Sequence, residues 1–164
     1  MRGREKLNAA LEECRVHAEV LRDARFELGD TRFSATTVTG ISAATRRLLD
    51  QLAYRFTKLQ DSIGTKVFPG LLDLAEEPLP ENATFAEKLQ RLERLGAVES
   101  VAQWRTLREL RNQLSYEYLD APELKAAALN RFVKGVDELL ATWEQADNYA
   151  IQNQNSGSGP DPTP

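Results

Sequence analysis

Apolar residues recur at steps of three and four through almost the whole chain, a pattern that admits little besides helices. Leu7, Ala10, Leu11, Cys14, Ala18, Leu21 and Phe26 trace one face of a helix over about residues 4–28. Leu48, Leu49, Leu52, Ala53, Phe56, Leu59 and Ile63 trace a second, with Ser42 placed to cap it. Val101, Trp104, Leu107, Leu110 and Leu114 trace a third behind Ser100. Leu124, Ala128, Phe132, Val136, Leu139, Leu140 and Trp143 trace a fourth, running to about Tyr149. Only Thr31 to Gly40 is β-branched and irregular; it reads as a connector with a short strand-like segment. A helix with one apolar stripe must bury it against other helices. The expected fold is therefore all-α, an antiparallel up-and-down bundle with four principal helices plus short helices.

The breaks in the pattern set its boundaries. Gly29-Asp30 marks a turn after the first helix. Gly64 and Phe68-Pro69-Gly70 predict a break or kink, then a short helix through about Glu76. Pro78 to Pro80 read as a loop. Thr84-x-x-Glu87 is a capping box ahead of Phe85, Leu89, Leu92 and Leu95, and Gly96 stands where a left-handed C-terminal residue belongs. Asp120-Ala121-Pro122 predicts the start of the last helix, with Asp120 as cap and Pro122 in the first turn. From Gln152 the chain reads QNQNSGSGPDPTP and carries no apolar anchor. Residues 1–150 are thus expected to form one bundle and 151–164 a disordered tail.

Charge and rare residues narrow the chemistry. A net charge of -4 and a pI near 5.2 argue against a broad nucleic-acid-coating surface but leave room for a small basic pocket. The N-terminal MRGREKLNAALEECRVH has charges throughout, unlike a secretory signal, and no run approaches the ~20 apolar residues of a membrane span. The expectation is a cytoplasmic protein without membrane contact. The sequence holds one cysteine, Cys14, and one histidine, His17, too few for an intrachain disulfide or a Cys/His zinc set, and no surrounding motif places His17 in a Ser-His-acid triad. No metal and no cofactor are expected. Cys14 reads as a small buried hydrophobe and His17 as a packing or surface residue.

One stretch stands apart, LRELRNQLSYEYL from Leu107 to Leu119. Arg108, Arg111, Ser115 and Tyr118 follow one another at steps of three or four, so a helix carries them on one face. Two guanidiniums, a hydroxyl and a phenol in line suit a phosphate, whose oxygens match the arginine fork. A polar seam against a partner helix accounts for the same spacing. Burying guanidiniums needs counter-charge, for which Asp61 and Asp50 on the second helix are candidates; both also read as solvated surface acids. Arg55, beside the apolar face of that helix, either snorkels or enters a polar site.

These residues resemble the HEPN superfamily and, within it, the HepT-like proteins. The signature is Arg-Asn-x-x-x-His-x-Tyr, matched here by Arg111, Asn112 and Tyr118, with Tyr116 at the position of the His. The segments LAYRFTKLQDSIGTKVFPGLL, TFAEKLQRLERLG and WRTLRELRNQLSYEY extend the likeness over most of the chain. The resemblance implies a helical bundle that forms a homodimer through its motif helices. It implies a metal-independent ribonuclease acting as the toxin of a toxin–antitoxin pair. It also implies a minimal nucleotidyltransferase as partner and antitoxin, which adds AMP to the motif tyrosine, here Tyr118. On this likeness Arg111 and Tyr116 stand at the catalytic positions, and Arg111 and Asn112, with Arg108 and Ser115 of the same helical stripe, are the expected contacts to RNA phosphate.

The departure at Tyr116 bears on the chemistry. A phenol with a pKa near 10 is a poor general base at neutral pH, where an imidazole serves well. Two readings follow: a ribonuclease toxin with weakened or lost activity, or a non-catalytic dimeric module that engages the nucleotidyltransferase.

Overall fold

The structure, a computed structural model, describes residues 2–76, 79–113 and 121–156. All regular structure among them is helical. The elements are α1 (Arg2–Leu28), α2 (Ala35–Thr39), α3 (Ala43–Ser62), a π-helical turn (Ile63–Val67), α4 (Phe68–Leu74), α5 (Phe85–Leu95), α6 (Val101–Gln113) and α7 (Pro122–Ser156). No described helix is long and apolar enough to cross a membrane.

The four principal helices α1, α3, α6 and α7 run antiparallel to their neighbours, as the cross-links between them show. Arg4, Arg15, Arg22 and Arg25 of α1 meet Gln154, Asp147, Glu144 and Asp137 of α7, in descending order. Exposed pairs of this kind fix register more than they add stability. On α1, His17 faces Arg55 of α3, and Glu13 faces Ser62 and Lys66 further on. Arg111 of α6 reaches back to Asp61 of α3. The core between them holds Leu11, Leu21, Leu52, Phe56, Leu59, Leu107 and Leu139, all fully buried. Phe56 meets Phe132 edge-on with centroids 5.4 Å apart.

The predicted caps take their places. Ser42 accepts from the Thr45 amide, Thr84 and Glu87 form the reciprocal capping box, and Gly96 ends α5 at φ 83°. Ser100 accepts from the Gln103 amide at the start of α6. Pro122 opens α7; Asp120, its expected cap, lies outside the described residues.

Four expectations are corrected. Phe26 is 87 % exposed, because the core stripe of α1 continues through Ala24 and Leu28 instead. The irregular connector contains no strand among its residues. It holds α2, closed at its start by Ser34 and Thr37 in a capping box and fastened to α7 by Asn130, which both accepts from the Phe33 amide and donates to the Phe33 carbonyl. The break expected at Gly64 is a single π-helical turn, in which the Phe68 amide donates to the Ile63 carbonyl five residues back. Pro69 then falls in the first turn of α4, directly after the π-helical turn. Finally, α7 continues to Ser156, so the disordered tail does not begin at residue 151. Gln154 donates to Asn8, and its carbonyl accepts from Arg4, so these last turns rest on α1. The remaining residues of the expected tail lie outside the described part.

Candidate functional site

Arg108 and Arg111, one turn apart on α6, face the C-terminal end of α3 and the π-helical turn. Between these elements lies a cavity of about 180 Å³, lined by Gln60, Asp61, Gly64 and Thr65 on one side and Trp104, Arg108 and Arg111 on the other, with Phe85 of α5 closing the third. The spacing explains the arrangement. Gln60 and Gly64 are four apart, as are Asp61 and Thr65, while Trp104, Arg108 and Arg111 follow steps of four and three along α6.

The rim is charged. Arg111 Nη2 donates to Asp61 Oδ2 at 3.0 Å, and both side chains remain partly exposed. Arg108 is exposed and lies over the Phe85 ring, 5.6 Å from its centroid. No carboxylate among the described residues pairs with Arg108, so the rim carries one guanidinium in excess. Thr65 Oγ1 donates to the Asp61 carbonyl and steadies the π-helical turn beneath.

The floor is polar and buried. Gln60 and Trp104 are each only 3 % exposed. Neither atom of the Gln60 amide, nor the Trp104 Nε1–H, has a hydrogen-bond partner among the described residues. Trp104 is held edge-on against Phe68, with centroids 4.7 Å apart, and its ring presses on Gly64. A Cβ at Gly64 would come within 3.2 Å of that ring, so glycine permits the close approach.

Of the residues expected from the sequence, Arg108 and Arg111 come together at the cavity, and Asp61 is the counter-charge. Asp50 is exposed and plays no such part, and Asn112 is exposed outside the lining. Ser115, Tyr116 and Tyr118 lie outside the described residues. Arg55 enters a different polar site: its Nη1 lies 2.9 Å from His17 Nδ1, and its guanidinium also lies over Tyr54. On the other side of that imidazole, Glu13 Oε1 is 3.7 Å from Nε2, and Glu13 also accepts from Ser62 Oγ and Lys66 Nζ. Burial, reinforced by the Arg55 charge, lowers the His17 pKa, and the Lys66 hydrogen bond holds Glu13 below the usual carboxylate value. The Cys14 thiol is buried and pushed up to about 12, which makes it inert as a nucleophile. Among the described residues no three His, Cys, Asp or Glu side chains are grouped to hold a metal ion.

The sequence reading missed Gln60, Trp104 and Phe85 as site residues. Trp104 and Phe85 read as core because their spacing is that of core residues. Gln60 did leave a signal: it stands four residues after Phe56 and eight after Leu52, in a register otherwise filled by apolar side chains. Compared with protein-family models, curated proteins and solved structures, the chain matches none.

Proposed function

We propose that this chain is the HepT-like member of a toxin–antitoxin pair, with a cleft that takes RNA phosphate and a ribonuclease activity that is weakened or lost. The reading rests on one observation above others: Arg108 and Arg111 open together on a cavity that offers a single carboxylate, Asp61. An incoming phosphate satisfies Arg108 and competes with Asp61 for Arg111, a ready exchange for a guanidinium fork. In a homodimer joined through the motif helices, two such rims supply four arginines to one groove. The partner is a minimal nucleotidyltransferase, and AMP attached to Tyr118 would block RNA by charge and bulk.

The second reading, a binding module without catalysis, is favoured by the placement of the single imidazole. His17 sits on α1, engaged with Arg55, and does not line the cavity. With tyrosine at position 116, the described lining of the cleft offers no imidazole to take the proton from an attacking 2′-hydroxyl.

Fluorescence anisotropy with a labelled single-stranded RNA tests the binding. Arg108→Ala and Arg111→Ala should each weaken it and flatten its salt dependence, by roughly 0.7 in the log–log slope for each phosphate that is no longer neutralised. For the chemistry, wild type should degrade RNA weakly or not at all, and Tyr116→His should raise the rate by about 10²–10⁴-fold, the usual worth of a general acid–base group. Efficient, Arg111-dependent cleavage by wild type, unchanged in Tyr116→Phe, would show the loss-of-base argument to be wrong.

A further inference from the structure

We infer that the floor of the α3–α6 cavity is a nucleobase subsite, in which the Gln60 amide reads the edge of an unpaired adenine while its phosphate rests on Arg108 and Arg111. The inference builds on the proposed phosphate cleft and assigns what lies behind it.

The unpartnered Gln60 amide is the starting point. Burying an amide without a hydrogen bond is destabilising, and an apolar side chain of similar volume would serve the core better. A second uncompensated donor is the Trp104 indole N–H. Both residues line the same cavity, and their polar atoms lie buried without partners. Reading a base requires the buried Gln60 amide to turn toward the cavity that its residue lines.

The size and walls select the ligand. About 180 Å³ is well below the roughly 300–1,000 Å³ of pockets for drug-sized molecules, so it suits one planar ring system. Phe85 at the mouth and Trp104 at the base offer aromatic surface, which is how unpaired bases are held. An amide presents an acceptor and a donor in one plane. Adenine answers with its exocyclic amine and an adjacent ring nitrogen, the pairing that glutamine makes in base recognition. The indole N–H is left for a further ring nitrogen. On the N7 edge guanine presents two acceptors, O6 and N7, so the amide oxygen finds no donor there.

Isothermal titration of the full chain with AMP, GMP, CMP, UMP and inorganic phosphate tests the assignment. AMP should bind about tenfold or more tightly than the other nucleotides, and more tightly than phosphate. Gln60→Leu should bring all four nucleotides to one weak affinity while phosphate binding stays. Trp104→Phe, which keeps a ring and loses the donor, should reduce the AMP preference in part. Equal affinities for the four nucleotides in wild type, with phosphate and RNA still dependent on Arg108 and Arg111, would overturn the base subsite and leave the phosphate cleft standing. No binding of RNA, phosphate or any nucleotide would overturn both. A preference for another base would overturn the adenine assignment.

Discussion

Gln60 and His17 show how single side chains in this bundle hold conditional stability. The Gln60 amide is buried and uncompensated, so Gln60→Leu should stabilise the fold by about 1–3 kcal/mol, the cost of an unmet buried polar group. Thermal denaturation of the variant reads this directly, and an unchanged or lower midpoint would mean that the amide has a partner in solution. His17 acts through pH. Its folded pKa lies below its ordinary value of 6.5, so the folded state binds its proton less readily than the unfolded chain does. Stability is therefore full above about pH 6.5 and falls as the pH drops below it. Glu13, also lowered, from 4.5, adds a second loss in the same direction at more acid pH. Denaturation midpoints should fall between about pH 7.5 and 5.5, and His17→Gln should flatten that slope.

At the scale of the element, close helix packing rests on particular glycines. A Cβ on Gly70 would lie 2.8 Å from Leu7 Cδ1 and 3.2 Å from Leu7 Cβ, and the latter is fixed to the α1 backbone. Gly70→Ala should cost about 1–3 kcal/mol by overpacking, against the ~1 kcal/mol it gains in helix propensity. Chemical denaturation should register a net loss. Gly135→Ala should be milder, because it meets only the free end of Leu110, a partly buried side chain that can turn aside. Such packing explains what the sequence could and could not reveal. The helices, their caps at Ser42, Thr84 and Ser100, and the Arg108–Arg111 face were legible because each depends on neighbours within four residues. Phe26 misled because an exposed aromatic and a buried one look alike in a periodic pattern. The α2 turn was hidden because a five-residue helix held by Ser34 and Asn130 leaves almost no periodic trace. The cavity floor was hidden for a third reason: it needs α3, α5 and α6 to meet.

For the whole molecule, ion pairs from Arg15 to Arg25 and hydrogen bonds at Arg4 and Asn8 tie α1 to α7, while the cavity opens between α3 and α6. The frame that sets the fold and the face that carries the arginines are thus largely separate sets of residues. Arg108→Ala should leave the stability within about 0.5 kcal/mol of wild type, as exposed substitutions do, while weakening RNA binding. Light scattering should return a dimer at micromolar concentration if the motif helices pair as proposed; a clean monomer would remove the shared groove.

The π-helical turn bears on insertions and deletions. The buried positions Leu52, Phe56, Leu59, Ile63, Val67 and Leu71 advance by four residues per turn from Leu59 onward, where an α-helix needs 3.6. The turn from Ile63 to Val67 thus absorbs one surplus residue without rotating the core faces on either side. Elsewhere in α3, losing a residue would swing every later side chain by about 100°. Here, deleting Thr65 should return the later residues to α-helical register, with Phe68 and Leu71 still facing inward and Pro69 left to kink the helix at a cost of about 3 kcal/mol. The shortened chain should keep the register of its buried faces while Thr65 is lost from the cavity wall.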